Sequence, residues 1–349
     1  RIIIADINAD INHKYETQIL KLPIFGFKVI FTNSHEDTKE FGYPVKLLQI
    51  HRFWDFSLPK DTNAKIWNGY ARRYINAYVP FDEEGKIITF GDIETQDKGQ
   101  KALMTLKGDV DNLGTIFQEG IRSANIAKMA ALSRQMNLFF SLWLPAYCAE
   151  QSQSMYTVFA GGDDFFLIGP WYSTQKVAHA MQQAFAHYVA ENPKIHFSVG
   201  MVMSKSNIPV PRLGDLAKEA LEKSKKIDTN KNAITIFNRS VKWEKWQFLL
   251  NLGDEIERLA KDYEISTAYI YSLIHFALQA ENKENKIENS MWRSRFYYKT
   301  ARYVVDKLKK EEKSTALNQI ITSLGDKGIE TYKGDFIIPI FNYFYQQRN

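Results

Sequence analysis

Apolar and polar positions along this chain keep three rhythms in turn. In residues 1–99 short β-like runs (Phe27 to Phe31, Val45 to Ile50, Lys86 to Phe90) lie between polar turns, with dense aromatics at Trp54, Trp67, Tyr70, Tyr74 and Tyr78. That pattern predicts a mixed, β-rich segment with little regular helix. From about Lys101 strands and helices alternate. Ala102 to Val110 predicts a strand. Ala124 to Leu144 carries Ile126, Met129, Leu132, Met136, Phe139, Phe140 and Trp143 at helical spacing, and predicts a long helix ended by Pro145. Met155 to Ala160 and Asp164 to Ile168 flank Gly161-Gly162-Asp163, a tight hairpin signal. A helix from Thr174 to Ala190, a strand His196 to Met203, a helix Arg212 to Lys226 and a strand Ala233 to Phe237 follow. Beyond Val241 the β-signals fade, and Trp243 to Tyr263, Ser266 to Glu281, Ser290 to Lys310, Thr315 to Leu324 and Asp335 to Gln347 all show helical periodicity.

The expected organisation is therefore residues 1–99 as a β-rich flank, 100–240 as an α+β unit and 241–349 as an all-α unit. The middle unit reads β-α-β-β-α-β-α-β. Its β-α-β-β-α-β core is the split βαβ, ferredoxin-like pattern, an antiparallel sheet with helices packed on one face.

Composition narrows the options modestly. The single cysteine, Cys148, excludes an internal disulfide framework and a cysteine-rich zinc site, and fits a reducing, cytoplasmic setting. No run reaches the roughly 18 apolar residues of a membrane span, so no membrane partner is expected. Lys and Arg number 45 against 40 Asp and Glu, a formal charge of +5 that permits basic faces without demanding a nucleic-acid partner. The chain opens at Arg1, in a strand-like run, which reads as a piece of something longer.

The chemistry gathers in two stretches, Lys107-Gly108-Asp109-Val110-Asp111-Asn112-Leu113-Gly114 and Phe159-Ala160-Gly161-Gly162-Asp163-Asp164. Asp109 and Asp111 stand where a strand turns into its helix; Asp163 and Asp164 sit on the hairpin that this strand order places beside it. Clustered carboxylates repel one another unless cations fill the gap, and hard oxygens suit Mg²⁺ or Mn²⁺ rather than Zn²⁺. Gly161 and Gly162 lack Cβ atoms, so phosphates can approach the backbone, and amides after Asp111 can cradle them. Taken singly, each stretch is more plainly a turn or a helix cap. Their combination favours a metal-nucleotide site.

These motifs, with the helix containing Leu132-Ser133-Arg134, the strand Phe197-Ser198-Val199-Gly200-Met201 and the helix Ala220-Leu221-Glu222-Lys223-Ser224-Lys225, resemble the second palm domain of the large subunit of type III CRISPR interference complexes, most closely the Csm (III-A) branch. The likeness runs from about Lys101 to the C-terminus, and the palm is similar to that of GGDEF nucleotide cyclases. The resemblance implies synthesis of cyclic oligoadenylate from ATP, switched on when guide RNA captures target RNA within a multi-subunit complex. It implies Asp109 and Asp163 as leading metal ligands and catalytic residues, helped by the Val110 carbonyl, with Asp164 in support. It implies phosphate contacts from Gly161, Gly162 and the amides of Asn112, Leu113 and Gly114, and Lys225 reaching the phosphates. Asp111 ranks below these, and Lys231-Asn232 resembles a trailing Arg-Asn of the cyclases behind a short insertion.

Diguanylate cyclases differ at informative places. Where they carry Phe, Lys and a guanine-binding Asn, this chain has Leu113, Gly114 and Phe117. Guanine recognition is thus not expected. The family's histidine-aspartate nuclease and first palm are expected outside this chain, so Arg1–Asn349 alone is expected to lack half of the ATP cleft. Trp292 to Lys313 interleaves bases with aromatics; a buried stripe with solvated bases is the plainer reading, an RNA or subunit face the sharper one. Rival functions are a stand-alone diguanylate or other nucleotide cyclase, and a non-catalytic scaffold that holds nucleotide and partner subunits.

Overall fold

The computed structural model describes residues 2–11, 17–32, 49–55, 70–72, 78–121, 125–151, 154–284 and 286–348. Most of the 45–50 run, with Trp67, Tyr74, His13 and His35, lies outside the described residues. In the β-rich flank, β1 (Ile2–Asp6), β2 (Thr17–Leu22), β3 (Phe27–Thr32), β4 (Ile50–Asp55) and β5 (Tyr70–Arg72) form one sheet in the order β2-β3-β1-β4-β5. Alternation on the central strand buries Ile3 and Ala5 against Ile30 and Ile50.

The run Lys86 to Phe90 is not a strand. Only an isolated Phe81–Ile87 bridge forms there, and Phe90 opens a short helix, α1 (Phe90–Ile93). The cause is local: the Thr89 hydroxyl accepts from the Asp92 amide while the Asp92 carboxylate accepts from the Thr89 amide, a capping box that wins over a weak apolar run.

The central unit contains β6 (Leu103–Val110), α2 (Leu113–Glu119), α3 (Ile126–Leu138), α4 (Leu144–Gln151), β7 (Tyr156–Gly161), β8 (Asp164–Pro170), α5 (Ser173–Tyr188), β9 (Phe197–Ser204), α6 (Val210–Lys225), β10 (Ala233–Ile236) and β11 (Arg239–Lys242). The sheet order β11-β10-β9-β6-β8-β7 embeds the ferredoxin-like arrangement, with β6 central and antiparallel to both β8 and β9. Its even-numbered side chains Met104, Leu106 and Val110 join the main core with Phe139 and Phe140 from the α3–α4 rod and Val177, Met181 and Phe185 from α5.

Helices do not stay on one face. α6 covers the other, where Leu213 and Ala217 pack with Leu103, Phe166 and Ile168, and β10 runs parallel to β9. Gly200 permits it, since a Cβ there would lie 2.1 Å from the Leu221 amide nitrogen. Nor does Pro145 end its helix. Between α3 and α4 the backbone loosens into a π turn (Phe139–Trp143), with the Leu144 N–H donating to the Phe139 carbonyl. The slipped register puts Pro145 in the first turn of α4, where a missing N–H costs little.

The all-α region comprises α7 (Trp243–Asp262), α8 (Thr267–Glu281), α9 (Trp292–Tyr303), α10 (Lys310–Ile320) and α11 (Ile337–Gln346). The run Ser290 to Lys310 is broken, because α9 stops at Tyr303 and a 3₁₀ turn (Val305–Lys307) follows. α10 continues into a π segment (Ile321–Glu330). Two contacts lock this region to the central sheet: the Trp243 indole donates to the Phe197 carbonyl at 2.9 Å, and Gln175 and Asn342 exchange two amide hydrogen bonds of 3.0 Å.

Candidate functional site

Register brings the carboxylates together. β6 and β8 pair antiparallel so that Asp109 is the direct partner of Asp164, and the two glycines sit at the hairpin tip. Gly162 takes φ +71° at the first turn position, while Asp163 stays out of the positive-φ region, as a type II′ turn requires. The turn is tethered to the neighbouring strand, since the Val110 amide donates to the Asp163 carbonyl at 2.9 Å. Gly108 fills the gap beneath; a Cβ there would lie 2.1 Å from the Phe165 ring.

Lys107 and Asp109 alternate onto the α6 face of β6, shared by Asp164. Lys225, in the last turn of α6, pairs with Asp109, and Lys107 Nζ lies 3.3 Å from Asp164 Oδ2 and 5.2 Å from the Phe159 ring centre. Burial, assisted by repulsion from Asp163 and Asp164, raises the Asp109 carboxyl above its ordinary range even though Lys225 pulls the other way. Ammonium groups thus hold the charge that a cation cluster would otherwise balance.

Among the described residues no three Asp, Glu, His or Cys side chains are gathered closely enough to hold a metal. The expected convergence of four carboxylates is not seen. The fourth, Asp111, turns away into the protein. It is fully buried, and its Oδ2 accepts from His196 Nδ1 at 2.8 Å, Ser198 Oγ at 2.8 Å and the Asn232 amide at 3.0 Å. It stitches the end of β6 to β9 and to the loop before β10, which gives Asn232 of the Lys231-Asn232 pair a structural part. The donor set still suits a hard divalent cation: Asp164 Oδ1 is buried with no hydrogen-bond partner, at the strand position paired with Asp109.

The phosphate-binding expectations divide. Gly114 has open space around it, and Asn112, at φ 54°, turns the chain into α2, presenting the Asn112–Gly114 backbone at a helix start. Leu113 packs partly into the core. The Gly162 amide is engaged, donating to Asn137 Oδ1 of α3 at 3.1 Å. Sequence reasoning missed Asn137 and Lys107. Lys107 was legible from the two-residue repeat with Asp109; nothing in the pattern of α3 distinguishes Asn137 from an ordinary polar helix position.

Residues 102–235 match the family described as Cas10/Cmr2, second palm domain. A Cas10/Csm1 protein of Methanocaldococcus jannaschii, named a CRISPR system single-strand-specific deoxyribonuclease of subtype III-A, is 31% identical over 222 residues, covering 54% of this chain and 27% of that protein. The chain thus spans about a quarter of the length of the curated relatives it matches. The crystal structure of Csm1 in T. onnurineus superposes with a TM-score of 0.63 at 20% identity, covering 93% of this chain and 47% of that one. A Csm1-Csm4 cassette in complex with pppApApA gives 0.64 at 18% identity, covering 91% and 46%. The likeness to the type III-A large subunit read from the motifs stands, and the α+β fold with a helical C-terminal region is shared with Csm1.

Proposed function

From a palm of the Cas10/Cmr2 kind, we propose that this chain is the nucleotide-polymerising part of the large subunit of a type III-A CRISPR complex, joining ATP into cyclic oligoadenylate. One observation carries the reading: Asp109 and Asp164 are register partners on adjacent palm strands, with Lys225 and Lys107 converging on them. In the reaction the 3′-hydroxyl of one ATP attacks the α-phosphate of another, and pyrophosphate leaves. Asp109, Asp163, Asp164 and the Val110 carbonyl would hold Mg²⁺ or Mn²⁺, which supplies charge neutralisation at the attacking and leaving oxygens. Lys225 and Lys107 release their carboxylates when these are otherwise neutralised and then face phosphate oxygens. Asp111, through His196, Ser198 and Asn232, keeps the β6 terminus fixed so that Asp109 is presented in one orientation. The amides of Asn112 to Gly114 offer N–H donors to the triphosphate.

The domain division 1–99, 100–240 and 241–349 belongs to this proposal, as do partner subunits, guide RNA and target RNA. Solved Csm1 chains stand in a Csm1-Csm4 cassette and in the Csm1-Csm4 subcomplex of a type III-A CRISPR-Csm interference complex, which supports a subunit role. A cytoplasmic location is consistent with one buried, unpaired cysteine, and no helix among the described residues is long and apolar enough to cross a membrane.

The assembled complex, given ATP or GTP, Mg²⁺ or Mn²⁺ and matching target RNA, tests the reading. Oligoadenylate is the expected product, whereas a cyclic dinucleotide from GTP would favour a diguanylate cyclase, and intact RNA binding without product a scaffold. Asp163→Ala with Asp164→Ala should abolish product while the complex still assembles.

A further inference from the structure

The basic, aromatic stretch of the C-terminal region resolves on α9 into a buried stripe and an adjoining, more exposed one. Trp292, Phe296 and Thr300 are buried against α8, with Phe296 edge-on to Phe276 at 5.9 Å. The adjoining stripe carries Arg295, Tyr298, Lys299 and Arg302 at helical spacings of three and four, followed by Tyr303. Tyr298 is 67% exposed and Tyr303 53%, far more than a packing role needs. Arg295, Tyr298, Lys299, Tyr303 and Ser294 line a groove of about 430 Å³ floored by Phe276.

Free cations set beside exposed rings distinguish this face from an ordinary solvated one. Arg293 pairs with Asp326, and Arg302 and Lys313 both reach Asp306 at 3.9 Å, while Lys307, Lys309 and Lys310 further along lack a carboxylate partner among the described residues. Among the described residues Arg295 and Lys299, inside the groove, have no carboxylate partner; Lys299 instead lies 5.8 Å from the Tyr303 ring centre. The groove therefore offers a guanidinium and an ammonium one helical turn apart beside open ring faces. An acidic peptide would use the charges and leave the rings idle. A duplex has its bases already stacked. A single strand uses both, since its phosphates meet the cations while its unpaired bases stack on the rings.

We propose that the α9 groove is a binding site for single-stranded nucleic acid, with Arg295 and Lys299 on the backbone phosphates and Tyr298 stacking on a base. The site is separate from the palm carboxylates and does not depend on the nucleotide chemistry proposed for them.

Binding of a labelled oligouridine single strand to the whole chain, followed by fluorescence anisotropy across a salt series, tests it. Arg295→Glu with Lys299→Glu should weaken binding by at least about tenfold and flatten the logarithmic salt dependence by between one and two. Tyr298→Ala should weaken it about tenfold with the salt dependence unchanged, because stacking releases no counterions. Arg295 and Tyr298 are exposed and Lys299 is half-buried, and circular dichroism will show that the variants keep their helices. Asp163→Ala with Asp164→Ala should bind like wild type, so loss of the catalytic reading leaves this result standing. Equal affinity of the wild type and both α9 variants overturns the proposal. So does a photo-crosslinker at position 298 that, in the assembled complex, labels protein and never the nucleic acid.

Discussion

Single side chains decide whether this site is charged correctly. Lys225 sits on Asp109, and its removal leaves a partly buried carboxylate without its counter-charge and the incoming phosphates without a donor. Under the proposed reaction Lys225→Met should therefore lower the rate of oligoadenylate formation by the assembled complex about 10²-fold, as loss of a transition-state donor does, and chromatography of nucleotide products reads this out. Gly108 answers to a steric demand. Gly108→Ala puts a methyl group into the Phe165 ring, and a thermal melt should report a loss of about 1–3 kcal/mol. The juxtaposition of Asp109 with Asp164 was legible from the two motifs and the strand order, whereas Lys225 entered only through the family resemblance. The role of Asp111 was not legible: a carboxylate two residues from another on a strand end looks the same in sequence whether it faces a ligand or, as here, accepts three hydrogen bonds from His196, Ser198 and Asn232.

At the scale of elements, the strands read for the central unit were placed within a residue or two, while capping and ladder slips eluded the pattern. The capping box at Thr89 turned an expected strand into α1, and the π turn after Leu138 carried the helix rod past Pro145; both depend on backbone hydrogen bonds that hydrophobic periodicity does not encode. The short strand β11 was missed because four residues give too few alternations to register. A distant cap also escaped notice. Asp97, from the loop before β6, accepts from the Tyr172 and Ser173 amides at 2.6 and 2.8 Å and from the Ser173 hydroxyl at 2.6 Å, holding the start of α5. Asp97→Ala should destabilise the chain by about 1–2 kcal/mol in a denaturant titration, whereas Asp97→Asn, which keeps acceptor oxygen, should cost less.

For the whole molecule, the union of the sheet with the helical region rests on contacts far apart in the chain. Gln175 and Asn342 are both buried and satisfy each other reciprocally across 167 residues of sequence. Asn342→Leu strands the Gln175 amide and should cost about 2 kcal/mol, while the double change Gln175→Leu with Asn342→Leu should recover most of it, as a double-mutant cycle by chemical denaturation would show. Such a pair could not be found from periodicity, because an amide inside an apolar helical stripe reads as an imperfection until its partner is seen.

The position of β6 in its sheet gives the two halves of the site unequal mechanical character. Its strand is bonded along both sides, to β8 and β9, whereas the glycine turn projects from the β7–β8 ribbon at the sheet margin and is moored by Val110 and Asn137. Asp109 is therefore an anvil and the turn a hammer: under the proposed reaction, accommodation of a triphosphate falls to the ribbon tip, and whatever grips the outer edge of that ribbon would acquire a handle on the rate of synthesis.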